Sequence, residues 1–251
     1  MSSPTLAAEP DGRAGAEIAV RAGAAAPPFE EATLSPAQAH GGVILMTAWA
    51  ALIRDALWLS VRAPLVLASV QQPASSYVDD VVLGNVEATA HFRATIWRHD
   101  TLRADVRASL GIGLPTAPDD PLRIDRRALA FGDALLGGRA PELFAARSIP
   151  LLASTSVSLA TDRWSTRLGA TLAAGEHAVP IFEAEGGAWI VGPVGVATGV
   201  RVFFLREPDV VTSFDASVLV RAGAHMTFAL EASVPLGWAG AGVGPSMRLQ
   251  F

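Results

Sequence analysis

The chain has no cysteine and no lysine; all 19 of its basic residues are arginine. The missing cysteines exclude a disulfide framework and the usual thiolate metal sites. Charge is scarce at 17% of residues, and the net charge of −5 comes with no basic tract, which excludes a nucleic-acid partner. Long hydrophobic runs are also lacking. The longest, Val43 to Ile53, ends at Arg54-Asp55 and falls short of the roughly 18 apolar residues of a spanning helix. Yet mean hydropathy is +0.36 and half the residues are hydrophobic, which excludes a disordered chain. Apolar residues this abundant, without a spanning helix, belong to an Ala/Val-rich soluble protein or to a transmembrane β-barrel, where they fall at every second position.

Alternation decides between them. From Val82 to Trp97 the even positions are Val82, Gly84, Val86, Ala88, Ala90, Phe92, Ala94 and Ile96, while the odd ones include Asn85, Glu87, Thr89, His91, Arg93 and Thr95. Period two is a strand with one apolar and one polar face. The rhythm restarts after Arg98-His99-Asp100, with Leu102 to Ile112 on one face and Arg103, Asp105, Arg107 and Ser109 on the other. It recurs from Leu57, Leu151, Leu168, Phe214, Phe228 and Val243. Strands are expected at 14–26, 41–53, 56–69, 81–97, 101–114, 148–161, 163–175, 179–191, 194–205, 210–221, 225–236 and 242–251. The segment 179–191 is weakened by Pro180 and Gly186-Gly187; without it and the first segment, ten strands would remain.

The connections alternate in length. Arg54-Asp55, 98–100, Asp162-Arg163, Gly192-Pro193 and 222–224 are tight; 27–40, 70–80 and 115–147 are long. Short turns on one side and long loops on the other are the rule for outer-membrane barrels. The reading is an all-β fold: a transmembrane antiparallel up-and-down β-barrel of about twelve strands. Residues 1–13 form a loose N-terminal leader and 14–251 a single outer-membrane barrel, with a long outer loop at 115–147. That loop contains Asp119, Asp120, Arg123, Arg126, Arg127 and the apolar stretch Ala128 to Leu136; it is either a set of short helices over the mouth or a disordered surface loop. Met1-Ser2-Ser3-Pro4 has neither a basic n-region nor an apolar h-region, so no secretory signal is visible. A bacterial outer-membrane destination therefore requires a start that is trimmed or misassigned.

Charge placement assigns the faces. Strand charges fall on the polar parity: Arg21, Arg62, Arg93, Arg103, Arg107, Arg167, Arg201, Arg221 and Arg248, with Glu17, Glu87, Asp105, Glu183, Glu185, Asp215 and Glu231. A charge facing lipid at the midplane costs roughly 2–4 kcal/mol, so this parity points inward. Glu87, Arg93, Arg103, Asp105, Arg107, Arg167, Asp215 and Glu231 are the candidate lumen-lining residues. As structure they make a salt-bridge lattice that fills the barrel; as function they make a polar pathway. Trp58, Trp97 and Trp164 sit beside short turns, Trp189 lies near another, and Trp238 is near an outer loop, as interfacial belts require. Trp58 and Trp97 nevertheless fall on the inward parity.

The terminal Met247-Arg248-Leu249-Gln250-Phe251 resembles the C-terminal signature of outer-membrane barrels, which implies recognition by the barrel-assembly machinery through Phe251. Leu83 to Arg93 resembles the leucine–glycine–aspartate strand of the transporter family named for the meta-pathway of phenol degradation, with Asn85 in place of the aspartate. Leu110 to Thr116 resembles that family's strand ending in proline–threonine–glycine, with Ala117 in place of the glycine. The resemblance spans about residues 40–251 and implies a barrel that admits small hydrophobic or aromatic molecules.

Catalytic, cofactor and metal sites are not expected. The five histidines have no His-x-x-x-His spacing, Gly111-x-Gly113 lacks a P-loop lysine, and there is no Gly-x-Ser-x-Gly elbow. The main expectation is a passive channel whose partners are outer-membrane lipid and a small-molecule solute. The alternatives are a closed structural or adhesive barrel, and a barrel enzyme. An omptin-like enzyme would gather Asp79, Asp80, His40 and His177 at the outer rim; a phospholipase-like one would need serine and histidine on the lipid side.

Overall fold

The computed structural model describes residues 14–26, 39–53, 56–71, 77–117, 124–136, 144, 149, 151–174, 178–204, 210–223, 225–236 and 239–250. Residues 1–13, Asp119, Asp120, Arg123, His177, Trp238 and Phe251 lie outside them, as do the side chains of Arg126 and Arg127. The strands are β1 (Ala14–Ala26), β2 (Ala39–Ile53), β3 (Leu57–Gln71), β4 (Tyr77–Leu83), β5 (Val86–His99) and β6 (Leu102–Leu114). After helix α1 (Ile124–Leu135) come β7 (Leu151–Ala160), β8 (Trp164–Ala174), β9 (Ala178–Val191), β10 (Val194–Phe204), β11 (Val210–Ala222), β12 (Met226–Leu236) and β13 (Ala239–Gln250).

Consecutive strands pair antiparallel, and β1 pairs with both β2 and β13, so the sheet closes on itself. Both β4 and β5 pair with β3 and form one interrupted stave, which makes twelve staves from thirteen strands. Closure gives the staves neighbours on both sides, the condition for crossing a bilayer with strands; among the described residues β4, at the outer end, pairs only with β3. The links after β2, β5, β7, β9 and β11, the start of β1 and the end of β13 lie at one end; the β8–β9 and β12–β13 links at the other end are also short, three and two residues by the strand bounds. Gly192 holds φ +53° in the two-residue link from β9 to β10, a left-handed geometry suited to glycine.

The two insecure segments both form strands. β9 includes Pro180 and Gly186-Gly187, and Gly187 packs where a Cβ would press on Ala197 at 2.9 Å. Large exposed hydrophobics such as Leu59, Phe92, Leu110, Leu168, Phe214 and Leu230 lie on the outer face, while the polar parity is buried inside.

Two face assignments are corrected. The run Val82 to Trp97 is not one continuous alternation. Leu65 pairs with Leu83 and Arg62 with Glu87, so β3 uses one residue fewer than its partner across Gly84-Asn85. Pro64 has no N–H to donate there, and its carbonyl accepts from Gly84 N at 3.0 Å. The extra residue reverses the faces, so Val82 points inward and Val86 outward. A second irregularity between Thr95 and Trp97 pairs Trp97 with Ala104 and turns its ring outward, off the inward parity. The 70–80 segment is also shorter than expected, because β3 and β4 extend into it as a paired ladder.

The loop does form a helix, α1, but that helix does not lie over the mouth. It enters the barrel and packs against the inner faces of β13, β1, β2, β3 and β4. Gly132 lies against Val66 of β3, and Leu135 lies against Gly242 of β13, where no Cβ fits. The stretch Ala128 to Leu136 is apolar because it meets the inner wall, not water.

Candidate functional site: the barrel lumen

The lumen is built in layers from the end that carries the long loops. There α1 contributes Ala128, Leu129, Phe131 and Leu135, and Leu136 just after it joins them, in one apolar cluster with Ala39, Val43, Val66, Val70 and Val82. A second apolar cluster lines the part of the wall that α1 does not touch: Ala173, Ile181, Phe203 and Val211, with Leu152 and Val179 packed on it. These residues occupy the inward parity at the outer ends of β7 to β11. Apolar side chains on the inward parity of a barrel are unusual, because interiors of membrane barrels are generally polar.

Below this layer lies a belt of charge. Arg201 on β10 reaches Glu185 at 2.8 Å and Glu183 at 3.5 Å on β9, and pairs with Asp215 on β11. Arg167 on β8 bonds the same two glutamates at 2.9 Å each. Ser233 donates to Asp215. Farther round, Arg21 pairs with Glu231, whose other oxygen accepts from Ser246 at 2.7 Å. Arg62 donates to both oxygens of Glu87, which also accepts from Thr89. Arg103 lies 2.9 Å from Asp105, which accepts from Thr95 at 2.7 Å. Near the turn end Arg248 bonds Glu17 at 2.9 Å.

All eight sequence-predicted residues occupy the inward parity. Asp215, Arg167 and Glu231 join networks spread across β8 to β1, whereas Glu87 pairs with Arg62, and Arg103 with Asp105. Arg93 and Arg107 stand directly opposite each other on β5 and β6. The belt is polarised around its circumference. The β5–β8 arc carries Arg93, Arg103, Arg107 and Arg167 against Glu87 and Asp105. The adjoining β9–β12 arc reverses this, with Glu183, Glu185, Asp215 and Glu231 against Arg201 and Arg221.

Three contributors to the lumen lie outside the eight candidates. Arg201, on the inward parity but not among the eight candidates, meets Glu183, Glu185 and Asp215. Helix α1 occupies the lumen. Trp58 and His91 stack at 5.3 Å with rings 12° from parallel, and His91 is held between Ser60 at 2.7 Å and Ser109 at 2.9 Å. Trp49 also points inward, and Trp189 carries the Arg221 guanidinium 4.2 Å from its ring centre. The tryptophans therefore divide: Trp97 and Trp164 are exposed at the turn end, while Trp49, Trp58 and Trp189 line the interior. Inward parity near a turn was the available signal, and it held for Trp58 but not for Trp97.

The residues of the omptin-like alternative are partly adjacent. His40 and Asp79 flank Ser69 in register on β2, β4 and β3. His40 packs edge-on to Tyr77 at 5.2 Å, while Asp80 turns to the inner face and accepts from Val81 N. Among the described residues no hydrogen bond joins His40, Ser69 and Asp79, and the serine sits between the other two, where histidine must stand in a catalytic relay. No group of three metal-ligating side chains exists among the described residues.

No family model matches the chain, and no curated protein matches it in sequence. Its fold has solved counterparts. An outer membrane channel from Pseudomonas putida F1 is 13% identical with a TM-score of 0.70, over 99% of this chain and 97% of that one. The KdgM porin is 7% identical with a TM-score of 0.56, over 94% and 99%. The translocator domain of the autotransporter NalP from Neisseria meningitidis is 7% identical with a TM-score of 0.50, over 98% and 91%. At such identities the likeness is one of fold, and the fold of this chain is that of the bacterial outer-membrane β-barrels.

Proposed function

We propose that the chain is a passive outer-membrane channel for small molecules with a hydrophobic or aromatic part. The observation that carries this reading is the inward apolar cluster of Ile181, Phe203 and Val211 above the charged belt. A barrel whose only task is to stand in the membrane gains nothing from an apolar inner wall beside a polar one, whereas a hydrophobic solute entering from outside meets a matching surface there. The resemblance of 83–93 and 110–116 to the phenol-degradation transporters supports the same class of solute. Outer-membrane lipid is the partner of the outer face, and Phe251 is the contact for the barrel-assembly machinery.

The closed structural barrel is the second reading, favoured by α1 filling one side of the lumen. Purified protein in planar bilayers separates the two. A channel gives discrete conductance steps that change when phenol is added. A protein that inserts, shifts mobility between unboiled and boiled gel samples, and gives no steps is the closed barrel.

A further inference from the structure

We propose that the β5–β8 inner wall is a binding site for an oxyanion head group, and that the solute is an amphiphilic monoanion such as an aromatic or aliphatic carboxylate. This deepens the channel reading above and rests on it.

Three observations converge. Arg93 and Arg107 are direct register partners on one face, and both are buried. Like charges directly opposite each other destabilise a sheet, and burial adds to the cost. Each arginine engages neighbouring groups of the protein, which holds the pair in place. A planar oxyanion between two guanidinium forks relieves the repulsion, because each fork matches two oxygens.

Ser158 supplies the second observation. It lies on β7 between Asp105 of β6 and Arg167 of β8 in register, and is the next inward residue after Ser156, the partner of Arg107. Its hydroxyl is buried at 3% exposure with no hydrogen-bond partner. A buried unsatisfied hydroxyl is costly, and an anion on this wall supplies an acceptor for it.

The third is the setting. The acidic β9–β12 arc repels a second negative charge, so a monoanion fits better than a dianion. Leu152 of the apolar cluster is four residues along β7 from Ser156, about 13 Å at the rise of a strand. A head group at Arg107 therefore places an apolar body against Leu152.

The test uses the purified full chain and three probes: naphthalenesulfonate, inorganic sulfate and naphthylmethyl-trimethylammonium. The sulfonate keeps its charge at every working pH. Titration in detergent should show the sulfonate binding at least about tenfold more tightly than either of the others. R107Q should weaken it by about tenfold and R93Q/R107Q should abolish it, while R163Q, in the exposed turn between β7 and β8, leaves it unchanged. Equal binding of the sulfonate and the ammonium overturns the site, and this comparison needs no variant to fold. So does unaltered sulfonate binding by an R93Q/R107Q protein that keeps its heat-dependent gel shift. Conductance without selective binding leaves the channel and removes the site; selective binding without conductance leaves the site and removes the channel.

Discussion

Arg21 on β1 and Glu231 on β12 are ion-paired although β13 runs between them. Gly244 makes this possible. It occupies the inward position between the two, its carbonyl accepts from Arg21 at 3.3 Å, and a Cβ there would collide with the backbone at Val20. A long side chain on one stave thus passes over a stave that has none. Gly244→Val should separate the pair and strain β13. Arg21→Met leaves a buried carboxylate without its cation, at a cost of about 3–5 kcal/mol, and R21M/E231Q should recover part of it. Denaturant unfolding in lipid vesicles, read as a double-mutant cycle, measures this.

Asp133 gives the plug helix a pH dependence. Its Oδ1 is buried without a hydrogen-bond partner, and burial pushes the carboxyl up from 3.8 to about 7. An acid with a raised folded pKa binds more protons folded than unfolded between those two values. Docking of α1 is therefore strongest at low pH, weakens as pH rises from about 4 to about 7, and is flat above. Hydrogen exchange of α1 amides between pH 5 and 8, corrected for intrinsic rates, should show falling protection. Asp133→Asn should be flat over that interval.

The outer face should reject charge. Leu110→Arg and Leu168→Arg place a cation among exposed apolar neighbours, at about 2–4 kcal/mol each if near the midplane. Ser156→Arg, on the inward parity of β7, should cost less. Folding yield into vesicles, scored by the shift between unboiled and boiled samples, ranks the three. Equal yields would mean that the face assignment is wrong.

Helix α1 should limit conductance. Phe131 and Leu129 are buried between the helix and the wall. F131D and L129D each bury an unpaired charge when the helix is docked, so the helix should leave the wall. Single-channel conductance should rise, while the gel shift of the barrel stays unchanged because α1 is outside the closed hydrogen-bond ladder.

Where the sequence was legible, the reason is local. Strand faces alternate with a period of two whatever surrounds them, so Arg103, Asp105 and Arg107 against Leu102, Ala104 and Val106 assign their own sides. Positions such as Val82 and Trp97 misled because one inserted residue reverses a face, and the insertion is visible only against the partner strand. For Val82 the insertion lies at Gly84-Asn85, opposite Pro64 of β3, which comes far earlier in the chain.

The sequence by itself determined the class of fold, a count of about twelve strands, and which parity avoids lipid. Each follows from the spacing of apolar, charged and turn residues along the chain. Only the tertiary structure decided which charges meet. Arg201 with Asp215, Arg21 with Glu231 over Gly244, and Arg93 facing Arg107 depend on register between strands, which is set by closure of the ring. It also decided that Ala128 to Leu136 is a helix inside the barrel, because an apolar stretch in a loop carries no record of the wall it will meet.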